Sequence, residues 1–383
     1  MAKTAPEQKA VTSVTPATPA AASQFDFHVY GPRNLSSTTW RDLLRSSWKN
    51  ANYRRMVIAC FIQGVYLLEL DRQENRDERT GGALAPQWWR PFKYRLAELL
   101  IDERDGSIYG AVLEWDRQAA LSDLIPIRPA GAPAAVVALR GTLLRGATFR
   151  RDVTDDLRFL AWDSLKGSVR FAGALQALRA AAARHGAGSV CVGGHSLGAG
   201  FALQVGKALA KERVFVECHV FNPPSVSLAM SLKGFAESAG ELWGRVRSWI
   251  PYAGGGGGGE SEEAKSAAAA ATLARTGSTM GKWLPHLYIN TNDYICCYYN
   301  DASSGTATVA AGGGSGSGKA AVRGSGGVAR MMVAAKGPSK FLDAHGLNQW
   351  WADDVELQVA LNHSKLIDRQ LRSLYAAPPA AAS

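Results

Sequence analysis

The chain has 383 residues, 46% of them hydrophobic and 20% charged, which supports a sizeable core and excludes a wholly disordered or fibrous protein. Its 40 glycines follow no three-residue period, so a collagen-like helix is excluded as well. The net charge of +10 is carried by scattered basic residues whose densest clusters are pairs such as Arg54-Arg55 and Arg150-Arg151; nucleic-acid binding is not expected, while peripheral contact with an anionic lipid surface stays open.

Residues 1–24 are rich in Ala, Thr and Pro and are expected to be a disordered tail. Pro16 and Pro19 break the apolar centre a secretory signal needs, and no arginine precedes Arg33, which makes a poor transit peptide. No stretch reaches the ~18 apolar residues of a membrane span. The expectation is a soluble, cytoplasmic protein, with a plastid location left open.

Thr39 to Leu44 reads as a capped helix start, and Tyr53 to Leu70 carries apolar residues at helical spacing. Phe92 to Ile101 reads as a further helix, and Ile108 to Trp115 alternates like a strand. From Ala134 the pattern changes to strands alternating with helices. Ala134–Leu139, Ser189–Val192, Val214–Phe221 and Leu287–Asn290 are short apolar runs suited to strands buried on both faces. Between them, Val169–Arg184, stopped by Gly186, and Leu197–Leu209 read as helices. The fold class is therefore α/β, with a mostly parallel central sheet flanked by helices over residues 25–383 as one domain.

Two glycine- and alanine-rich segments, near 251–280 and 302–336, cannot pack a core and read as flexible surface insertions. Leu228 to Ile250 is amphipathic: an ordinary packed helix, or a lipid-facing cover for the site. Gly313 to Lys319 nearly spells a phosphate-binding loop, but Ala320 replaces the hydroxyl residue that would hold magnesium, and we reject it. Cys60, Cys191, Cys218, Cys296 and Cys297 are odd in number and form no C-x-x-C pair, so neither a disulfide framework nor a zinc site is expected.

Gly194-His195-Ser196-Leu197-Gly198 matches G-x-S-x-G, a pattern this composition produces about 0.3 times by chance. Its place between a buried strand and a helix is where a nucleophile elbow must lie. The elbow residue takes strained backbone angles, and Gly194 and Gly198 remove side chains that would collide beside it. Ser196 is the candidate nucleophile, and it requires a base and an orienting acid.

Of the histidines after Ser196, His219 and His286 fall in or beside strands and His363 on a terminal helix; His345, in a loop before Gly346, is the candidate base. Asp293, just past a strand, is the candidate acid, with Asp301 and Asp343 as competitors. Thr142, in the Arg140-Gly141-Thr142 turn, and the Leu197 N–H are the candidate oxyanion donors.

With these residues assembled, the chain resembles the class 3 (fungal-type) lipase family. Within it, the likeness is to plant lipase-like proteins often labelled GDSL esterase/lipase, although Gly-Asp-Ser-Leu does not occur here. The matching stretches are Ile62 to Tyr66 through Gln73, Ala83 to Pro86 with Trp88-Trp89, Leu139 to Thr142, Gly193 to Ala199, Phe221 to Pro224, Asn292 to Cys296, and Ala344 to Gly346 with Gln349 to Trp351. The resemblance implies an α/β-hydrolase fold and a cofactor-free serine esterase acting on lipid or other acyl esters. It also implies Ser196 as nucleophile, Asp293 as acid, His345 as base, and Thr142 with Leu197 in the oxyanion hole. Family lipases follow the acid with Val-Pro, where this chain has Tyr294-Ile295, and Leu143 to Asp152 is short and charged where fungal relatives carry a lid. A non-catalytic lipid- or partner-binding protein on the same fold is the alternative.

Overall fold

The computed structural model describes residues 25–32, 41, 47–76, 83, 87–143, 169–224, 283–293, 295–296, 330–334, 338–351 and 357–361. Its centre is an eight-stranded sheet whose strands lie side by side in chain order. They are β1 (Tyr94–Ile101), β2 (Ile108–Trp115), β3 (Ala135–Leu139), β4 (Val190–His195), β5 (Glu217–Phe221), β6 (His286–Asn290), β7 (Arg330–Ala334) and β8 (Leu357–Leu361). Strands β3 to β7 are mutually parallel; β1, β2 and β8 join them antiparallel. Three long helices, α1 (Ala51–Gln73), α2 (Val169–His185) and α3 (Leu197–Lys211), pack on the sheet.

Side-chain alternation along the buried strands feeds two cores. Val192, Val220 and Leu287 point to one face and pack with Leu178 of α2 and Phe201 and Val205 of α3. Cys191, Phe221 and Tyr288 point to the other and pack with Ile58, Phe61, Ile62 and Val65 of α1. The protein is thus a three-layer α/β structure.

Helix α1 starts at Asn50, whose side chain accepts hydrogen bonds from the Asn52 and Tyr53 N–H groups at 2.8 and 3.3 Å. It is buried on the sheet side and also under Trp88 and Trp89, whose atoms crowd Gly64. A helix covered on both sides should be apolar nearly all round, so its buried polar residues stand out. Arg55 and Glu69, together with the partly buried Tyr66, all find partners. The fully buried Glu69 carboxylate accepts from the Ile108 N–H at 2.7 Å and from Arg72, which fastens the end of α1 to the start of β2.

Within the Phe92–Ile101 segment read as a helix, Tyr94–Ile101 is a strand. Ala97, Glu98 and Leu99 favour helix locally, and register shifts at Leu96/Glu98 and Leu100/Ile101 break the alternation that marks a strand. Pairing with β2 along the whole segment overrides that propensity. Strand β7 lies within the 302–336 stretch read as an insertion, because Met331-Met332-Val333 supplies an apolar run just beyond the glycines. Strand β8 ends at Leu361, just before the His363 segment read as a terminal helix. The expected tail, the Leu228–Ile250 helix, the glycine-rich runs, Asp301, Cys297 and His363 itself lie outside the described residues. Among the described residues, no helix is long and apolar enough to cross a membrane.

The turn between β1 and β2 is held by Asp102, buried and hydrogen-bonded to Arg104 and to Arg170 of α2 at 2.8 and 2.6 Å. The Arg104 hydrogen bond, aided by Arg170, outweighs burial and holds the Asp102 carboxyl well below the ordinary carboxylate range. A depressed acid contributes stability above its unfolded value, about 3.9, and loses it as pH falls through the lower folded value. On acidification from about pH 5 to about pH 2.5, the wild-type melting temperature should therefore fall more steeply than that of Asp102→Asn. Parallel slopes would contradict this role.

Candidate active site

Strand β4 ends at His195, and α3 begins at Leu197, so the reversal is made at a single residue. Ser196 sits there with φ 54° and ψ −125°, a left-handed conformation that costs a non-glycine residue about 1–3 kcal/mol. Close packing forces the geometry. A Cβ on Gly194 would fall inside the Gly198 carbonyl and 2.7 Å from the Ala199 nitrogen. A Cβ on Gly198 would meet the Leu139 and Arg140 carbonyls at 2.5 Å. The end of β3 and the elbow therefore touch, backbone against backbone.

The Ser196 Oγ lies 3.0 Å from His345 Nε2, and His345 Nδ1 lies 2.9 Å from Asp293 Oδ2. A proton on Nδ1, donated to the carboxylate, leaves Nε2 free to accept from the serine hydroxyl. All three residues are buried. His345 closes a helical turn, Phe341–His345, instead of lying in an open loop, and Gly346 follows it in extended backbone.

Asp293 follows β6 and is fully enclosed. Its Oδ1 accepts from the Ile295 N–H at 3.0 Å, and its Oδ2 also accepts from Asn222 Nδ2 at 2.7 Å. Burial alone would raise its pKa. The His345 ring, with hydrogen bonds from His345, Asn222 and Cys296, more than offsets that and holds the carboxyl below its ordinary value.

Asn222 is a residue the sequence reading missed. It follows β5 in left-handed backbone, φ 48°, and is fully buried. Its amide nitrogen spans Asp293 Oδ2 and the Ala344 carbonyl, while its oxygen accepts from Trp350 Nε1 at 2.5 Å. Gln349 reaches back to the Ala344 and Gly346 carbonyls from the other side. The segment bearing His345 is thus clamped from both flanks. The one sequence signal was an Asn between a buried strand and Pro223-Pro224, which is also a routine turn.

Of the oxyanion candidates, Leu197 supplies the first N–H of α3, one of the four without an intrahelical acceptor. Gly141 packs against the elbow so closely that a Cβ on it would lie 2.8 Å from Ser196 Cβ and from the His195 carbonyl. Thr142, next in the chain, has a buried hydroxyl without a hydrogen-bond partner. A buried, unpaired hydroxyl normally costs about 1–3 kcal/mol, so it calls for an explanation. His195 points from the elbow to α1 and the His345 backbone, not to Ser196.

Among the described residues, Glu217, His219 and His286 form the cluster with metal-ligand chemistry, one donor atom of each lying within 4.8 Å of the others. They do not fit an ion. The two rings stack at 4.5 Å and 19°, so their in-plane lone pairs run side by side and do not converge. Both nitrogens of His219 are already engaged, by Tyr288 and Glu217, and Glu217 pairs with Arg54 at 2.6 Å. The cluster is a polar network beneath α1.

The elbow packing sets a stability test. Gly194→Ala should lower unfolding free energy by at least about 2 kcal/mol, because backbone cannot move aside for the methyl. Gly188, with nothing within 4 Å, should accept Ala within about 0.5 kcal/mol. Urea denaturation of both variants measures the difference, and equal effects would contradict the packing.

No family model matches the chain. A protein of Arabidopsis thaliana named as a GDSL esterase/lipase is 32% identical over 282 residues, which is 72% of this chain and 75% of that protein. On that extent of identity the chain belongs to the same esterase/lipase family.

Proposed function

We propose that the protein is a serine ester hydrolase of the α/β-hydrolase type, a class 3-like lipase or esterase, with Ser196 as nucleophile, His345 as general base and Asp293 as orienting acid. The observation that carries this reading is the unbroken hydrogen-bonded path from Asp293 through His345 to Ser196, at 2.9 and 3.0 Å, ending on a serine in strained backbone. The chain order serine, acid, histidine and their placement beyond the carboxyl ends of β4, β6 and β7 support the same arrangement. The relative's name, esterase/lipase, agrees with it.

In this mechanism Ser196 Oγ attacks the ester carbonyl carbon as its proton passes to His345 Nε2. Asp293 stabilises the imidazolium that forms. The Leu197 N–H and the N–H and hydroxyl of Thr142 receive the negative oxygen. His345 then returns the proton to the departing alcohol. Water, deprotonated in turn by His345, attacks the acyl-serine, and the carboxylic acid leaves as His345 returns the proton to Ser196 Oγ. Lipid or other acyl esters are the substrate class, without metal or cofactor.

A non-catalytic binding role would leave two features without a reason: left-handed backbone at Ser196 and an unpaired hydroxyl at Thr142. In the hydrolase both are used.

Hydrolysis of p-nitrophenyl butyrate tests the assignment. Ser196→Ala should lower kcat by at least about 10³-fold. Thr142→Val should lower it about 10²-fold while leaving the melting temperature unchanged or raised, because the hydroxyl it removes has no partner in the resting protein. Turnover that survives Ser196→Ala would overturn the reading.

A further inference from the structure

Tyr66 projects from the buried helix α1, and its hydroxyl stands where three parts of the site meet. It accepts a hydrogen bond from the Gly141 N–H at 2.8 Å. It lies 2.8 Å from His195 Nδ1. The other nitrogen of His195, Nε2, lies 2.8 Å from the carbonyl oxygen of His345. A carbonyl can only accept, so Nε2 carries the proton of His195 and Nδ1 must receive one. The direction of every bond then follows: Gly141 N–H to Tyr66 Oη, Tyr66 O–H to His195 Nδ1, and His195 Nε2–H to the His345 carbonyl.

The protonation states required are those the surroundings favour. Burial drives the Tyr66 phenol well above its ordinary value, despite the nearby Arg140 and Gly141 N–H, so it keeps its proton. Burial, with the neighbouring His345, drives His195 down to about 3, so it remains neutral. Neither group serves proton transfer, since neither touches Ser196 Oγ or the His345 ring nitrogens among the hydrogen bonds described above.

Gly141 is held on its other side as well. Arg140, buried, donates from Nη1 to the Gly141 carbonyl at 2.7 Å and from Nε to the Ile108 carbonyl at 2.5 Å. The peptide joining Gly141 to Thr142 is planar and trans, so fixing its carbonyl direction fixes the Thr142 N–H in the opposite direction. Tyr66 fixes the preceding peptide. Between them they set the orientation of the donor turn.

We infer that Tyr66 and His195 are positioning residues for the proposed hydrolysis. Together they join the oxyanion turn at Gly141–Thr142 to the backbone of the general base. The chain of three hydrogen bonds keeps two loops, 204 residues apart in sequence between Gly141 and His345, in one register, so that oxyanion donors and base face the same carbonyl group. This rests on the hydrolase reading above. It assigns the second residue of the elbow, His195, a duty different from that of its neighbour Ser196, and it gives α1 a part in the site although none of its residues touches the reacting atoms.

The test compares Tyr66→Phe with wild type for p-nitrophenyl butyrate turnover and for inhibition by an alkyl trifluoromethyl ketone, which forms a tetrahedral adduct on the serine. Loss of orientation acts on the transition state, so kcat should fall about 10- to 100-fold with KM within about twofold, and inhibitor affinity should fall by the same factor as kcat. His195→Leu should match Tyr66→Phe. His195→Gln, which can accept from Tyr66 and donate to the His345 carbonyl, should recover most of the activity. A merely structural role would lower the melting temperature without tying inhibitor affinity to kcat. Tyr66→Phe with wild-type kcat and inhibitor affinity, or Gln no better than Leu at position 195, would overturn the inference while leaving the hydrolase intact. Wild-type protein lacking Ser196-dependent turnover would instead overturn the hydrolase reading itself.

Discussion

Backbone crowding at the end of β4 governs this molecule's site. The strand must reverse into α3 within one residue: carbonyls at the end of β3 leave Gly198 no room for a Cβ, and the Gly198 carbonyl leaves none at Gly194. The residue at the apex is driven into left-handed backbone, where its side chain stands away from the sheet. Everything else at the site is measured from that fixed point: the first N–H of α3, the turn after β3, and the segments after β6 and β7 that bring Asp293 and His345 into line. Strain of this kind persists only where the surroundings over-determine it, and here parallel strands on both sides of β4 do so.

A second theme is the use of buried polar groups as fasteners. Helix α1 is roofed by tryptophans and floored by the sheet, yet carries Arg55, Glu69 and the partly buried Tyr66 into that interior. Each is matched: Arg55 to the Trp350 carbonyl, Glu69 to the Ile108 N–H, Tyr66 to Gly141 and His195. Asn222 does the same for the segment carrying His345. In a low-dielectric interior such bonds are strong when complete and costly when broken, so they specify one arrangement of loops where apolar packing would tolerate several. The hydroxyl of Thr142, buried without a hydrogen-bond partner, lies in the turn against the elbow.

The parallel sheet was legible because apolar runs at 134–139, 189–192 and 287–290 have no other stable use, and the elbow because glycines bracket a serine between strand and helix. Asp293 and His345 could be chosen by chain order and strand ends, and the structure brings His345 to Ser196 and Asp293 to His345. Strand β1 was not legible, since bulges erase its alternation and its residues favour helix. Strand β7 was hidden by the glycine-rich sequence before it. Asn222 and Tyr66 were invisible as site residues for a different reason: a positioning role depends on partners 71 and 75 residues away, and nothing local distinguishes them from a turn asparagine or a core tyrosine.

The central claim is that Ser196 is the activated nucleophile, and covalent labelling tests it without assuming any substrate. A fluorophosphonate bonds its phosphorus to an activated serine Oγ and expels fluoride, while the hydroxyl proton passes to the base. Intact-mass and peptide mass spectrometry of the treated wild-type protein should find one adduct per chain, on Ser196, and none in folded Ser196→Ala. An adduct on another residue, or none on folded wild-type protein under conditions that label a known serine esterase, would contradict the account.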